Sequence, residues 1–213
     1  MKKVIIQAAF FMLLALTSFA QKSETIVSWN FFTQIDGGTD NSVPSIMSAD
    51  ISSKGIVKGK GLSKNNEFKQ PKYWGAKGFS FDKNGPEDGI KKEKFITFSF
   101  ITNAAKPLSL DEIKPLRIKI SSIGPVNYTF QYSFDGVEFK DITTIKVDNP
   151  VKFSDLITPA VKLSDVKDLQ RIATGKTVYM RIIPWGAKGN EYNDCYLGSS
   201  YDYAALTVTG NFK

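Results

Sequence analysis

The stretch that decides the fold covers residues 128–140. It reads Tyr128-Thr129-Phe130-Gln131-Tyr132-Ser133, then Phe134-Asp135-Gly136, then Val137-Glu138-Phe139-Lys140. Apolar and polar residues alternate on both sides of the Asp-Gly pair, as is typical of strands with one buried face. Glycine accepts the positive φ of a tight turn, and aspartate tolerates it. The stretch therefore predicts a β-hairpin of residues 128–133 and 137–140.

Other segments rich in Val, Ile, Phe, Tyr and Thr also predict strands. They are 26–31, 94–101, 116–121, 177–183 and 204–209. The segment 116–121 (LRIKIS) alternates apolar and basic residues, so one face should be buried and the other should face water. Helical signals are confined to a short segment after Ser164 and a single turn at 109–113. The pattern predicts an all-β protein: a single antiparallel β-sandwich with one or two short helical turns. Pairing of the first and last strands would give it jelly-roll topology.

Residues 1–20 have the pattern of a secretory signal peptide. Lys2 and Lys3 precede an apolar run over 4–16, and Ser18 and Ala20 are small residues where signal peptidase requires them. The run is shorter than the roughly 20 apolar residues that span a bilayer. Cleavage after Ala20 is therefore predicted rather than a membrane anchor. We expect a secreted protein, periplasmic or extracellular, in which residues 21–213 form one β-sandwich domain.

The composition excludes most kinds of catalytic site. The 213 residues include 28 Lys plus Arg, 21 Asp plus Glu, one Cys and no His, with a net charge of +7. Ser/His/Asp triads, Cys/His pairs, most zinc sites and an internal disulfide are excluded for want of residues. Asp135 is explained by its turn and Glu138 by the solvent face of a strand, and no other acid–base pair is indicated, so no enzyme activity is predicted. The scattered charge and few arginines argue against nucleic-acid binding, although the positive balance permits an acidic partner such as a charged polysaccharide.

Three segments carry a resemblance to a known family. They are YTFQYSFDGVEFKDI (128–142), VYMRIIPWGA (178–187) and LTVTG (206–210). Together they resemble the second half of galactose-binding-like jelly rolls, including discoidin-type domains, and the carbohydrate-binding-module-like sandwiches of secreted bacterial proteins. The resemblance implies a jelly-roll fold. The Thr-x-Trp pattern and terminal Cys pair of discoidin-type domains are not found here, so their ligand specificity is not carried over.

The pentapeptide Trp-Gly-Ala-Lys-Gly occurs twice, at 74–78 and 185–189. On a jelly roll, two such loops would present Trp74 and Trp185 as platforms on which a sugar ring stacks. Lys77 and Lys188 would donate hydrogen bonds to hydroxyl or carboxylate groups. The alternative is that both tryptophans are buried at strand ends and the glycines only turn the chain, because Trp is more often a core residue than a ligand platform.

A tyrosine-rich segment follows the second pentapeptide. Its candidate ligand-binding residues are Tyr192, Asn193, Tyr196 and Tyr201, within a polar stretch that ends at Tyr203. Polar loops on a rigid sandwich are common binding sites. The alternative is that these rings pack over the edge of the sandwich and expose only their hydroxyls.

Two smaller predictions concern an ion and a thiol. Asp36, Asp40, Asp50 and Asp202 are oxygen donors near the ends of the chain, so a structural calcium is a further hypothesis, although no EF-hand spacing is present. No other cofactor is predicted. Cys195 has no internal partner and is either a buried small hydrophobe, which we expect, or an exposed thiol able to dimerise the protein.

Two functional hypotheses follow, and a third, a glycan-degrading enzyme, comes last because no acid–base pair supports it. The first is a secreted, non-catalytic protein that binds a glycan or surface polymer through the Trp and Tyr residues named above. The second is a structural or protein-interaction sandwich without a small ligand. Solvent exposure distinguishes them, because a stacking platform must have an open ring face.

Overall fold

The computed structural model describes residues 23–35, 37–38, 41–64, 71–148, 152–189 and 193–213. The predicted leader lies outside them. Within these ranges the chain forms fourteen strands, one α-helix and one 3-10 helix. The strands are β1 (Glu24–Trp29), β2 (Ile46–Met47), β3 (Ile51–Lys58), β4 (Tyr73–Ala76), β5 (Ile96–Thr102), β6 (Leu108–Ile113), β7 (Arg117–Ile120), β8 (Asn127–Ser133), β9 (Lys140–Lys146), β10 (Ser154–Ile157), β11 (Val161–Lys162), β12 (Thr177–Trp185), β13 (Cys195–Gly198) and β14 (Leu206–Phe212). The helices are α1 (Glu87–Lys91) and the 3-10 helix Lys167–Leu169.

The strands form three antiparallel sheets. Sheet I has the order β3-β5-β12-β8-β9, sheet II the order β11-β6-β14-β1-β2, and sheet III the order β10-β7-β13-β4. Backbone hydrogen bonds join the link between β6 and β7 to the start of β14: Lys114 N–H donates to Thr207, and Arg117 N–H donates to Ala205. Sheets II and III are therefore neighbours at this junction.

Sheets II and III both pack against sheet I. Trp29 of sheet II meets Phe98 of sheet I edge to face, with ring centroids 5.1 Å apart. Tyr128 of sheet I places its hydroxyl 3.5 Å from the sulfur of Cys195 in sheet III. Buried side chains from all three sheets belong to one hydrophobic cluster. The predicted all-β sandwich is confirmed, and Cys195 is buried in its core as expected.

The first and last strands pair along their length. β1 lies antiparallel to β14, from Glu24 opposite Gly210 to Trp29 opposite Leu206. This is the pairing that the sequence analysis set as the condition for jelly-roll topology, and it is confirmed.

The hairpin that decides the fold is present, but its turn is longer than predicted. β8 pairs with β9, which begins at Lys140, and the last matched pair is Tyr132 with Lys140. The predicted second strand at 137–140 is therefore wrong. The Asp135 carboxylate accepts the backbone N–H groups of Val137 and Glu138 at 2.8 and 2.9 Å. These N–H groups are thus bonded within the turn, and the chain crosses between the strands in the six residues 134–139.

The helical predictions were partly wrong. Residues 109–113 belong to β6, because Leu108 and Leu110 are buried and the segment pairs with β14. The short helical segment after Ser164 is the 3-10 helix, and Ser164 does not cap it. α1, which follows Pro86, was not predicted.

Candidate functional site

Trp74 is a core residue and not a stacking platform, which corrects the first hypothesis. In β4 it lies opposite Leu197 of β13, and both side chains are buried. Its ring stacks on Phe31, with centroids 5.9 Å apart and planes 19° apart. The Nζ of Lys58 lies 4.3 Å from the ring centroid. With no solvent exposure left, the ring offers no face to a sugar.

Trp185 lies on a different surface. It ends β12 on the outer face of sheet I, is half-buried, and donates from Nε1 to Thr129 Oγ1 at 2.9 Å. Lys188 is exposed in the loop that follows. Lys77 exchanges backbone hydrogen bonds with Ser63. The two tryptophans therefore cannot form one shared platform.

Asn193 connects the ends of the two pentapeptides. Its Oδ1 accepts the Gly78 N–H at 2.7 Å, and its Nδ2 donates to the carbonyls of Phe79 and Gly189 at 2.8 and 2.9 Å. The side chain is completely buried. Its hydrogen-bonding groups are therefore used inside the protein and are not offered to a ligand. Tyr192 lies outside the described residues.

Tyr196 is also buried. Its ring lies on Gly75, where a Cβ atom would overlap the backbone and ring of residue 196. Its hydroxyl donates to Asp194 at 3.2 Å, and Phe153 meets the ring edge to face. The Tyr196 ring packs into the sandwich as in the alternative interpretation, but its hydroxyl is buried as well and is not exposed.

Among the described residues, Tyr201 is the predicted aromatic site residue that is largely open to solvent, together with its neighbour Tyr203. Their exposed fractions are 70% and 52%. The two ring centroids are 6.0 Å apart, with the planes tilted by 51°. The segment 200–203 therefore presents two open aromatic rings side by side.

This segment is held at both ends. Ser200 Oγ donates to Asp155 at 2.8 Å, and the Tyr73 hydroxyl donates to the same carboxylate at 2.8 Å. Burial raises the pKa of Tyr73 to about 12, so the phenol keeps its proton and remains a donor. At the other end, Asn30 Nδ2 donates to Asp202 Oδ1. The segment that carries the exposed rings is thus hydrogen-bonded to other parts of the sandwich at Ser200 and Asp202.

A groove of about 480 Å³ lies beside Tyr203, at the junction of sheets II and III. It is lined by Thr25, Ser28, Ile46, Lys114, Pro115, Arg117, Ile157, Tyr203, Ala204 and Thr207. The hydroxyls of Ser28 and Thr207 lie 2.7 Å apart in the wall formed by β1 and β14. We call this cavity the Tyr203 groove.

The Tyr203 groove is cationic. The guanidinium carbon of Arg117 lies 4.4 Å from the ring centroid of Tyr203. In sheet III, Arg117 faces Ile157, whereas Lys119 on the same face of β7 faces Asp155. Lys114 is exposed at the rim. Within the described ranges, no carboxylate lines the groove and none forms an ion pair with Lys114 or Arg117.

Arg181, on the outer face of sheet I, also lies against aromatic rings, but its N–H groups donate to another side chain. Arg181 donates from Nε to Gln131 Oε1 at 2.8 Å, and Gln131 donates to Asp141 at 2.6 Å. Phe139 and Phe95 flank the guanidinium, with ring centroids 3.9 and 4.9 Å from its carbon. Side chains of the sheet itself thus bind this arginine. Arg117 makes no such side-chain bond among the described residues.

The described part of the chain gives no support to the hypothesis of a structural calcium. It contains no cluster of three or more Cys, Asp or Glu that would hold a metal. Of the calcium candidates, Asp36 and Asp40 lie outside the described residues, and Asp202 is bonded to Asn30. Among the described residues, no helix is both long and apolar enough to cross a membrane.

Comparison with known proteins gives a distant likeness only. No protein-family model matches the sequence, and no curated protein matches it. One similar solved structure is carbohydrate-binding module CBM32-3 of a family 31 glycoside hydrolase from Clostridium perfringens, with 9% identity and a TM-score of 0.28, covering 78% of this chain and 92% of that one. Another is the C-terminal domain of a chitobiase from Bacteroides fragilis, with 12% identity and a TM-score of 0.26, covering 79% of this chain and 98% of that one. Overlaps this loose carry no argument about function.

Most of the Tyr203 groove was not predicted from the sequence. Its lining comes from β1, β2, the β6–β7 link, β7, β10 and β14. One available signal was the alternation in 116–121, which places Arg117 and Lys119 on the outer face while Ile118 and Ile120 are buried. The hydroxyls of Ser28 and Thr207 come together only because the terminal strands pair.

Proposed function

We propose that this protein is a secreted, non-catalytic, glycan-binding β-sandwich, and that the glycan binds in the Tyr203 groove. The observation that carries the proposal is the pair of open tyrosine rings, Tyr201 and Tyr203, on a segment pinned at Ser200 and Asp202 beside the groove. Of the described aromatic residues predicted from sequence for ligand binding, Tyr201 is the most exposed.

Sugar binding needs an apolar ring face together with polar groups around it. Tyr203 supplies the ring, and Arg117 at 4.4 Å supplies hydrogen-bond donors beside it. The partly exposed hydroxyl of Thr25 supplies a further donor and acceptor along the groove, whereas the buried hydroxyls of Ser28 and Thr207 bond to each other. Because the segment is already ordered, binding loses little conformational entropy.

A non-catalytic role agrees with the groove chemistry. Glycoside hydrolysis uses two carboxyl groups facing each other across the scissile bond. No carboxyl group is found among the described lining residues. Trp185 ends β12 of sheet I, and Lys188 lies in the loop after it. Neither lines the Tyr203 groove, so neither contributes to glycan binding in our proposal.

Secretion rests on residues 1–20, and mass spectrometry tests it directly. Expression of the full chain in a bacterial host with a secretory pathway should release a protein that begins at Gln21. A product in the periplasm or medium that retained residues 1–20 would contradict the predicted cleavage.

Affinity electrophoresis tests glycan binding. The exported protein is run in native gels containing neutral and charged plant, host and microbial polysaccharides. At least one polymer should retard it, and Tyr203→Ala and Tyr201→Ala should each weaken the retardation, Tyr203→Ala by about tenfold in apparent Kd. Tyr179→Ala is the matched control, because Tyr179 is a half-buried tyrosine on the outer face of sheet I. Absence of retardation by every polymer, or equal losses in the Tyr203 and Tyr179 variants, would refute the proposal.

A protein partner is the second candidate function. Ile46 and Ile157 line the Tyr203 groove with 59% and 60% of their surface exposed, which is typical of a docking surface. If a protein docks on these side chains, Ile46→Ser with Ile157→Ser should abolish its binding. Loss of a co-purifying protein in that variant, with no glycan binding in the parent, would favour the partner.

A further inference from the structure

We propose that the Tyr203 groove selects glycans bearing an anionic group, a carboxylate or a sulfate, and that Arg117 recognises this group. The inference rests on the proposed function and specifies the ligand class of the same site. Three features carry it: the charge of the lining, the surroundings of Arg117 and the geometry of its contact with Tyr203.

All described charged residues that line the Tyr203 groove are positive. Lys114 and Arg117 both line the groove, and the other described lining residues are uncharged. Asp202 is next to Tyr203 in the chain but does not line the groove, and it accepts a hydrogen bond from Asn30. A neutral sugar would leave two cations in a groove without a counter-charge. An anionic sugar would compensate them.

The neighbours of Arg117 leave its charge available. β7 places Arg117 and Lys119 on the same face, two residues apart. Lys119 faces Asp155 across the β7–β10 pair, whereas Arg117 faces the apolar Ile157. Within the described ranges, the Arg117 side chain makes no hydrogen bond or ion pair, and its contact is with the ring of Tyr203. Of these two outward cations, Arg117 is the one without a carboxylate opposite it.

The contact with Tyr203 orients the guanidinium for an anion that presents two oxygens side by side. A guanidinium carries five N–H donors in a fixed plane, and two of them match the oxygens of a carboxylate or sulfate. Holding the guanidinium against the ring restricts its motion and leaves N–H groups free to donate. A sugar stacked on the exposed part of Tyr203 would place a ring substituent beside these donors. The Tyr203 ring would thus position both the sugar and the Arg117 guanidinium that binds its anionic group.

Matched pairs of polymers test this inference. Native gels contain polygalacturonate or its fully methyl-esterified form, and dextran sulfate or dextran, so that the backbone stays the same while the charge changes. We expect a charged polymer to bind at least about tenfold more tightly than its neutral counterpart. The carboxylate and sulfate arms distinguish the two sources of negative charge.

Two substitutions assign the preference to the groove. Arg117→Gln should reduce binding of the charged polymer about tenfold, while Arg117→Lys retains part of it as a point charge without the planar fork. Arg171→Gln is the control. Arg171 is an exposed arginine after the 3-10 helix, it does not line the groove, and its loss changes the net charge equally. Circular dichroism melting verifies that each variant is folded.

The outcomes separate this inference from the proposed function. Binding of a neutral polymer as tight as that of its charged counterpart, or of neutral polymers alone, with dependence on Tyr203, would support glycan binding and overturn the anionic preference. Equal losses in Arg117→Gln and Arg171→Gln would indicate a general charge effect and also overturn it. Retardation by no polymer at all would overturn both.

Discussion

The side-chain oxygen of Asn193 accepts a hydrogen bond from the backbone amide of Gly78 at 2.7 Å, across 115 positions of sequence. The same side chain donates to the carbonyls of Phe79 and Gly189. Asn193, which the sequence suggests as a ligand contact, is thus a buried residue whose side chain links the ends of two identical pentapeptides through hydrogen bonds. Its role is testable by stability measurements rather than by ligand binding.

Asn193→Ala should lower the free energy of unfolding by about 2–4 kcal/mol, because a buried N–H and two carbonyls lose their partner. Asn193→Asp should be at least as destabilising, since it keeps the acceptor but loses both donors. Urea denaturation followed by circular dichroism measures the change. Asn84→Ala, at an exposed asparagine, is the control and should change stability by less than about 0.5 kcal/mol. Equal effects at the two sites would show that the hydrogen bonds of Asn193 do not stabilise the fold.

Trp74→Ala should destabilise the fold by about 3–5 kcal/mol, the usual cost of truncating a buried aromatic residue. The ring has no room around it, because Gly38, with φ +77°, lies so close that a Cβ atom there would overlap the indole. Trp185→Ala should cost less than half as much, since Trp185 is half-buried on the outer face of sheet I. Circular dichroism is preferable to fluorescence here because each substitution removes one of the three tryptophans and so changes the fluorescence signal itself. Similar costs for the two variants would contradict the burial of Trp74.

Asp135 should make the turn between β8 and β9 sensitive to acid. Hydrogen bonds from the Val137 N–H, the Ser133 hydroxyl and the Glu138 N–H lower the pKa of Asp135 to about 2. In the unfolded chain the pKa of an aspartate is about 3.9. A depressed folded-state pKa gives stability that is present above the unfolded value and lost as pH falls toward the folded one. The stability difference between the wild-type protein and Asp135→Asn should therefore shrink between about pH 4 and pH 2.

The acid dependence is measured by urea denaturation of both proteins across that window. Asp135→Asn keeps an oxygen that accepts the same N–H groups but does not titrate, so it isolates the charge. If the two stability curves run parallel through the window, Asp135 is not the group responsible.

Cys195 should be chemically silent in the folded protein. Its sulfur is buried, and burial raises the pKa of the thiol to about 12, so almost no thiolate is present at neutral pH. A thiol-specific chromogenic reagent should release no colour from the native protein and should detect one thiol per chain in concentrated guanidinium. Cys195→Ser supplies the blank. Rapid reaction of the native protein would refute the buried position and restore the exposed, dimerising thiol as an alternative.

Local patterns predicted the parts of the fold that depend on neighbouring residues. Alternation in 116–121 correctly placed Ile118 and Ile120 in the core, because successive side chains of a strand point to opposite faces. The turn at Gly136 was predicted from its Asp-Gly pair, and φ is +77° there. The predicted start of the second hairpin strand at residue 137 was wrong because of a side-chain interaction. The Asp135 carboxylate accepts the backbone N–H groups of residues 137 and 138, and β9 begins only at Lys140.

The sequence by itself determined the fold class, since periodicity and turn chemistry are local properties and an all-β chain of this size must pack sheet on sheet. Only the tertiary structure decided which aromatic residues are open to solvent. Trp74 and Trp185 stand in identical pentapeptides, yet one is buried under Phe31 and the other lies on an outer face. The Tyr203 groove likewise exists because β1 pairs with β14 while the β6–β7 link brings Arg117 to the same place. Burial depends on what covers a side chain, and the covering residues come from distant parts of the chain.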